Sequence, residues 1–303
     1  MPILQSQFDT LLIPAIYHHF DLGMTDVPAM RSELFNVQDS SLAEERGTGM
    51  GGMSPDAWEQ YRKSGIKGEL EMDQLYTQSY VHVEYPVRLP IEKKLVLNDQ
   101  YRLINSLIQK AGLSAAEKME NDAASLLNNA FSSSYLWSDG KALCATDHPQ
   151  SKHKSAGSYG NKGTTALSKA SVAATRLLMA RFKNDKGSLL GLMPDELWVP
   201  PELEDTALEI ANSVLDPASA NNAINAQRGR YRVRTLARLS DTTNWFMAAG
   251  PWRRRVANWY NREALQVMLV EENTTHVVYE LKLHYSFGAD DWRWIYGHEV
   301  TGS

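Results

Sequence analysis

The stretch YVHVEYPVRLPIE, residues 80 to 92, contains the clearest strand pattern of the chain. Apolar side chains recur at every second position, namely at Val81, Val83, Tyr85, Val87, Leu89 and Ile91. This period of two predicts a β-strand with one apolar face. Pro86 and Pro90 lack the N–H donors of a central strand, so the pattern predicts an edge strand or one strand of an exposed ribbon. A ribbon that projects from its domain suggests pairing with a neighbouring subunit, and the other face supplies the candidate contacts Tyr80, His82, Glu84 and Arg88.

Further strands are predicted in the last third of the chain. HVVYELKLHYSFG, from residue 276, alternates as strongly as the first stretch, and one face holds Val277, Tyr279, Leu281, Leu283, Tyr285 and Phe287. TNWFMAAG, from residue 243, reads as a short buried strand. RGRYRVRTLARL, from residue 228, alternates Arg230, Arg232 and Arg234 against Tyr231 and Val233. A strand face of arginines predicts an interface with carboxylates.

Helices dominate the middle of the chain. LNDQYRLINSLIQKAG predicts a helix that ends at Gly112, and the capping box of Ser114 and Glu117 predicts the start of a second one. SSYLWSDGKALCAT predicts two short strands around the turn Asp139–Gly140. The loop QSKHKSAGSYGNKGTT is predicted to be polar and mobile, Ser168 caps a helix to about Phe182, and DELWVPPELEDTALEIANSVL reads as strand, Pro-Pro turn and helix.

The first 50 residues are predicted to be an extended arm rather than part of a compact domain. The short apolar patch FDTLLIPAIYHHFDLG is followed by a polar, turn-rich segment without sustained periodicity. Four glycines at positions 47, 49, 51 and 52 predict a hinge, and Ser54-Pro55 predicts a short helix after it.

Composition excludes several classes of protein. The 303 residues are 43% hydrophobic and 22% charged, which is ordinary for a globular protein with a large core. A single cysteine rules out an internal disulfide. We expect no secretory signal and no membrane span, because the amino terminus lacks a basic stretch and no apolar run approaches the required length. The net charge of −5 argues against a protein dedicated to tight nucleic-acid binding.

The stretch ALCATDHPQSKHK, from residue 142, is the main candidate for chemistry. Cys144 lies close in sequence to Asp147 and His148, as a nucleophile would, but no signature of a catalytic cysteine surrounds it. Cys144, His148 and His153 supply only three of the four ligands that structural zinc usually takes. We therefore favour a small buried apolar cysteine.

Two other motifs also favour a structural interpretation. Adjacent histidines such as His18 and His19 point in different directions, so a metal ion shared with Asp21 is not expected. RGTGMGGMS lacks the lysine of a phosphate loop. The sequence thus predicts no catalytic residue, no metal site and no cofactor.

The basic cluster GPWRRRVANWY leaves two interpretations open. Arg253, Arg254 and Arg255, near Trp252 and Trp259, could neutralise and stack on a nucleic acid. In an acidic chain such a cluster more often pairs with carboxylates of its own or a neighbouring subunit, and we treat these arginines as candidate assembly contacts.

Several stretches together resemble the major head subunit of Mu-like phages and prophages, the gpT family of capsid proteins. They are SLLNNAFS, SDGKALCATDHP, LWVPPELEDTALEIANSVL, LARLSDTTNWFMAAG and LKLHYSFGADDWRWIYGHE, which follow the family's order across about residues 80 to 300. The family is structural and has no nucleophile at the position of Cys144, so the resemblance lowers the catalytic hypothesis further.

The resemblance implies an α+β fold of the Hong-Kong-97 type, with an N-terminal arm, an extended E-loop, a P-domain on a long spine helix and an A-domain. On this basis we expect the arm at 1–47, the E-loop and its hinge at 48–90, the P-domain at 91–195, the A-domain at 196–270 and a return strand of the P-domain at 271–303.

The implied function is self-assembly into the icosahedral head of a tailed phage that encloses double-stranded DNA. The expected partners are other copies in hexamers and pentamers, a separate scaffolding protein, a portal and a possible decoration protein, with only non-specific proximity to DNA and none to membrane. The protein is expected in the virion, and in the host cytoplasm during assembly. The alternatives are an encapsulin-like shell or, from another class, a hydrolase or metal enzyme that uses Cys144 and His148.

Overall fold

The computed structural model describes residues 5–49, 58, 76–98, 101–152, 157–215, 223–272 and 274–301. The predicted helix after Ser54, the glycines at 51 and 52, and His153 lie outside these ranges. The chain divides into two compact units. The first comprises residues 1–45, 80–124 and 259–287, and the second comprises residues 46–79, 125–258 and 288–303.

The elements up to the long helix are, in chain order, α1 Gln5–Thr25, α2 Arg31–Leu34, β1 Asn36–Asp39, β2 Glu44–Thr48, β3 Thr77–Val81, β4 Val83–Glu92, α3 Lys93–Leu97 and α4 Tyr101–Asn128. The middle of the chain forms β5 His148–Pro149, β6 Ser158–Tyr159, β7 Lys162–Gly163, α5 Lys169–Ala180, β8 Glu196–Val199, a 3-10 helix Pro201–Leu203 and α6 Glu204–Asn212. The remaining elements are β9 Arg232–Thr235, β10 Trp245–Ala248, α7 Gly250–Val256, β11 Ala257–Glu272, β12 His276–Ala289 and β13 Ile295–His298.

The sheet of the first unit has the strand order β1-β11-β12-β4, which places β4 at an edge as its prolines predict. β4 runs antiparallel to β12, with Pro90 opposite Val278 and Pro86 opposite Lys282. The predicted apolar face of β12 is confirmed, since Val277, Tyr279, Leu281 and Tyr285 are buried. β4 differs from the expectation, because its apolar face is covered at Ile91 but exposed at Val83 and Val87.

The first segment of the chain is a helix, so the prediction of an extended arm is wrong for residues 5–25. Ile16 and Phe20 are buried in a core cluster with Ile104 and Ile108 of α4. The apolar residues of α1 that enter or flank this cluster recur at helical spacing. They are Ile13, Ile16, Phe20 and Met24. The short apolar patch therefore forms a helix whose apolar face is covered by α4.

Gly112 does not end a helix, because α4 continues through it from Tyr101 to Asn128. A Cβ atom at Gly112 would lie 2.1 Å from the carbonyl oxygen of Phe20, and one at Gly23 would lie 2.0 Å from that of Gln109. These two glycines allow α1 and α4 to cross with their backbones in contact. The predicted two helices are thus one long helix, and Gly112 serves a close approach rather than a stop.

The second unit contains a five-stranded sheet in the order β7-β13-β10-β8-β9. Three sequence predictions are confirmed here: the helix capped by Ser168, the strand–turn–helix from β8 to α6, and the buried strand β10. The Asp139–Gly140 turn also forms, with Gly140 at a φ of 75°. The flanking residues are not assigned as strands, in contrast to the prediction.

His298 of β13 is buried in this unit and stacks on Trp245 with ring centroids 4.0 Å apart. The backbone N–H of Thr165 donates to Nδ1 at 3.3 Å, and Nε2 lies 2.8 Å from the hydroxyl of Thr175. That hydroxyl donates to the Ser171 carbonyl, so Nε2 carries the proton of a neutral ring. Burial lowers the pKa of His298 to about 4.

Candidate assembly surfaces

Cys144 is buried, and the side-chain amide nitrogen of Asn161 lies 3.9 Å from its sulfur. Its sulfur occupies the space next to Gly297, where an added Cβ would lie 2.8 Å away. Burial raises the pKa of the Cys144 thiol far above its usual range. A thiol that holds its proton so firmly is a poor nucleophile.

His148 is bonded to residues other than Cys144. Its Nδ1 lies 2.6 Å from a carboxylate oxygen of Asp139, its Nε2 lies 3.1 Å from the side-chain oxygen of Asn161, and its ring stacks on Trp292. Asp147 is exposed and pairs with Lys141, whose hydrogen bond lowers the pKa of Asp147. The arrangement does not assemble a nucleophile with a base.

Asn161 is the centre of this region, and sequence reasoning missed it. Its amide nitrogen donates to the carbonyl oxygens of Leu143, Ile295 and Trp292 at 2.9, 3.1 and 3.2 Å, and its side-chain oxygen accepts from the N–H of Ala145 at 2.9 Å. The residue is fully buried, although it lies in the loop predicted to be mobile. Since an asparagine in a polar loop carries no periodic signal, only the fold reveals this role.

A metal site is not formed in the described part of the chain, where no three His, Cys, Asp or Glu side chains group suitably. His18 and His19 contact each other edge to face, with ring centroids 5.1 Å apart.

Two predicted contacts of the first stretch are buried. Tyr80 packs edge to face on Tyr260, with ring centroids 5.3 Å apart. His82 lies 2.9 Å from the hydroxyl of Ser286, and burial lowers its pKa. Glu84 and Arg88 are exposed. The latter two therefore remain proposed contacts with a neighbour, whereas Tyr80 and His82 stabilise their own subunit.

Two of the predicted arginines are also buried, around one carboxylate. Arg234 donates to Glu196 Oε1 at 2.9 Å, and Arg253 donates to Oε2 at 3.0 Å. The indole N–H of Trp198 reaches the same carboxylate at 3.2 Å. Burial lowers the pKa of Arg253, and Glu196 opposes this effect. The carboxylate expected opposite these arginines thus lies in their own subunit.

The other arginines are on the surface. Arg230 and Arg232 are exposed at the edge strand β9, and Arg254 and Arg255 are exposed on α7. Arg255 lies over the ring of Trp252, 5.3 Å from its centroid. Arg230, Arg254 and Arg255 remain proposed assembly contacts because they are exposed, and so does Arg232, which is exposed but also interacts within its own subunit.

An apolar cleft of about 440 Å³ lies in the first unit. β4 contributes Tyr85 and Val87 to its wall, β12 contributes Leu281 and Leu283, and α4 contributes mostly small residues. The exposed Val87 of β4 thus borders a surface that is largely apolar.

These features describe a protein without an assembled active site in its described part, with an exposed sheet edge, an apolar cleft and a basic surface. That combination is typical of a subunit that binds other subunits, and the comparisons with known proteins agree. The family model described as phage capsid protein matches residues 80–297. The chain belongs to this phage capsid protein family.

Solved capsid structures share the fold at low sequence identity. The chain is similar to a structure of Mycobacterium phage Patience with a TM-score of 0.54 and 7% identity, over 99% of this chain and 89% of that one. It is similar to the procapsid protein of bacteriophage JBD30 with a TM-score of 0.51 and 13% identity, over 99% and 77% of the two chains. The SrpI encapsulin from Synechococcus elongatus gives a TM-score of 0.52 and 10% identity, over 91% of each chain. The predicted α+β fold of the Hong-Kong-97 type is therefore confirmed.

Comparison with curated protein sequences finds no match. In the described part of the chain, no helix combines the length and apolarity needed to cross a bilayer.

Proposed function

We propose that this capsid protein is the major head subunit of a Mu-like phage or prophage and encloses packaged double-stranded DNA. The observation that carries the proposal is the match of the capsid family over residues 80–297. The five sequence stretches that resemble the gpT family fall within or next to that range. No catalytic role is assigned to Cys144 or His148, because each is engaged in the packing of its own subunit.

The domain names follow from the resemblance. We assign the arm to residues 1–47, the E-loop to 48–90, the P-domain to 91–195 with α4 as spine helix, the A-domain to 196–270 and the return strand to 271–303. In this assignment the arm includes α1, which packs on α4 of its own subunit.

The edge strand β4 suits a subunit that has to stay soluble before it assembles. Pro86 and Pro90 are both even-numbered positions of β4, and backbone N–H groups at even positions point away from β12. The ladder with β12 uses the N–H donors of the odd-numbered positions. The prolines therefore remove donors from the outward edge, which guards it against pairing with stray strands. Contacts with a neighbour then use side chains such as Glu84, Arg88 and Val87.

The proposed assembly consists of hexamers and pentamers of this chain, built with a separate scaffolding protein and a portal, and with a decoration protein where one binds. Many weak contacts per subunit sum to a stable shell. The net charge of −5 suits an inner wall that holds DNA loosely. The shell is proposed to form in the host cytoplasm and to remain in the virion.

Electron microscopy of the purified chain tests the proposal. We expect shells, tubes or capsomer rings at high concentration. A compact monomer at every concentration, even with the scaffolding protein co-expressed, would contradict it.

An encapsulin-like shell is the second candidate, since the SrpI encapsulin is among the similar structures. The two differ in their contents. Particles isolated from the native source should contain nuclease-protected double-stranded DNA of uniform length if the chain is a phage subunit, and a cargo protein if it is an encapsulin.

A further inference from the structure

Two surfaces of opposite charge lie on the second unit. The arginine face consists of the exposed residues Arg228, Arg230, Arg232, Arg254 and Arg255. The acidic face consists of Glu202, Glu204, Asp205 and Glu209, on the 3-10 helix and α6. The segment 201–212 contains no basic residue, so the acidic face has no compensating charge of its own.

The arginine face is assembled by Asp195 from two distant stretches of chain. The Asp195 carbonyl accepts the N–H of Arg232 at 2.8 Å, and its carboxylate accepts the N–H of Gly250 at 2.6 Å. The start of β9 and the start of α7 therefore meet at one residue, and Arg254 and Arg255 follow that junction in the last turn of α7. Within the described residues, Arg230 and Arg254 form no ion pair, while Glu196 is already bonded to two buried arginines.

Most of the acidic face lies at the opposite end of α6 from the turn that carries Arg228 and Arg230. Glu202, Glu204 and Asp205 are at the start of the helix, whereas Glu209 lies in its last turn. The turn that carries Arg228 and Arg230 is attached to the last turn of α6, where Gly229 donates to the Ala211 carbonyl at 2.8 Å. Glu204 opens the helix, about 10 Å away along its axis at 1.5 Å per residue. Acidic residues at the start of the helix and basic residues near its end interact favourably with the helix dipole. The same arrangement lets the acidic end of one unit face the basic end of a second copy.

An apolar patch adjoins the arginine face. Val214, Leu215 and Ile224 are exposed, and a β-bridge between Leu215 and Ile224 holds them together. The buried Asn225, next to Ile224, donates to the Ile210 carbonyl of α6 at 2.8 Å. Apolar residues beside a charged rim are the composition of a protein interface.

We propose that the arginine face of one copy binds the acidic face of α6 on the next copy, so that the second units associate head to tail in rings. This inference rests on the proposed shell-forming function and adds the residues that join neighbours. Head-to-tail contacts between identical subunits close into rings when the rotation permits. DNA is the less suitable partner, because the acidic face of the same unit repels phosphates.

The test uses two charge-reversal variants. The variant Arg228→Glu with Arg230→Glu and Arg254→Glu leaves three acidic and two basic residues on the arginine face, so both faces are acidic. The variant Glu202→Lys with Glu204→Lys and Asp205→Lys leaves three basic residues and one acidic residue on the acidic face, so both faces are basic. Each variant alone is expected to raise the critical concentration for assembly at least about tenfold, because every contact then joins like charges. Sedimentation velocity and negative-stain microscopy measure this under conditions in which the wild-type chain assembles.

Mixing the two variants gives the sharper result. In an alternating ring, an acidic arginine face meets a basic α6 face at every second contact, and an unchanged arginine face meets an unchanged acidic face at the others. Six-membered rings can alternate throughout, whereas a five-membered ring always retains one like-charged contact. An equimolar mixture should therefore form open sheets or tubes. The variant that carries all six substitutions has every contact swapped in one chain and should form closed shells again.

The controls separate the possible failures. The variant Arg228→Lys with Arg230→Lys and Arg254→Lys keeps the charge and should assemble within about threefold of the wild-type concentration. A wild-type chain that never assembles refutes the proposed function itself. If the wild-type chain assembles and the Glu-substituted variant, tested separately, assembles equally well, only this inference is overturned. Normal assembly of that variant with lost binding to double-stranded DNA would identify the arginine face as a DNA surface, which also overturns it.

Discussion

Acid should destabilise the second unit through His298. The folded pKa is about 4, while an unfolded histidine titrates near 6.5. A depressed pKa means that the unfolded chain binds a proton more readily than the folded one, so stability falls as the pH drops below 6.5 and levels off below 4. Linkage then gives a loss of about 2 kcal/mol between pH 7 and pH 5, and about 3 kcal/mol at the lower limit.

The cause of this loss is the burial of the ring, since a charged imidazolium is poorly solvated there. Protonation of Nδ1 places a proton against the N–H of Thr165, which already donates to that atom. His298→Gln stays neutral at every pH. It should be less stable at pH 7, because it lacks the ring that stacks on Trp245. Because it does not titrate, its free energy of unfolding should fall by about 2 kcal/mol less than that of the wild type between pH 7 and pH 5.

Urea unfolding of the unassembled chain, followed by circular dichroism from pH 4 to pH 7.5, measures both curves. The difference between the two chains isolates His298, because the other histidines contribute equally to each. Parallel curves for wild type and variant would refute the reasoning. The exposed His18→Gln is the matched control and should follow the wild-type curve.

Three further predictions concern stability and reactivity. Gly112→Ala should lower the free energy of unfolding by about 1–3 kcal/mol, because its Cβ meets the Phe20 carbonyl, while the exposed Ser114→Ala should stay within about 0.5 kcal/mol in the same thermal melts. Glu196→Gln should lower the free energy of unfolding in urea by about 3–5 kcal/mol, since it leaves Arg234 and Arg253 buried without their carboxylate. The surface variant Glu209→Gln is the control, and an equal loss there would contradict this. Cys144 should react with an aromatic disulfide reagent only after urea is added, and Cys144→Ala should assemble as the wild type does; rapid labelling of the folded chain would show that the thiol is accessible.

Much of the fold could be predicted from local signals. The alternation in β12 and the prolines of β4 give the strand type and the edge position, because side-chain period and missing N–H groups act within the strand itself. The helix after Ser168 was predicted from its cap for the same reason. These features depend on neighbours in sequence.

The errors concern residues whose partners are distant in sequence. Gly112 reads as a helix end unless Phe20 is known to lie against it. Arg234 and Arg253 read as surface residues, since Glu196 precedes them by 38 and 57 positions. Asn161 lies in a polar stretch, and its bonds reach Trp292 and Ile295. Of the predicted assembly contacts, the exposed ones stay proposals and the buried ones belong to the core.

The crossing of α1 and α4 also constrains how related chains can diverge. The helices meet through Gly23 and Gly112, where a methyl group would lie about 2 Å from an opposing carbonyl oxygen. A descendant that gains a side chain at either position has to move α1 away by more than about 1 Å, since ordinary contacts begin near 3.4 Å. The rest of α1 can drift as long as its apolar stripe survives. In an alignment of relatives we therefore expect these two positions to change together.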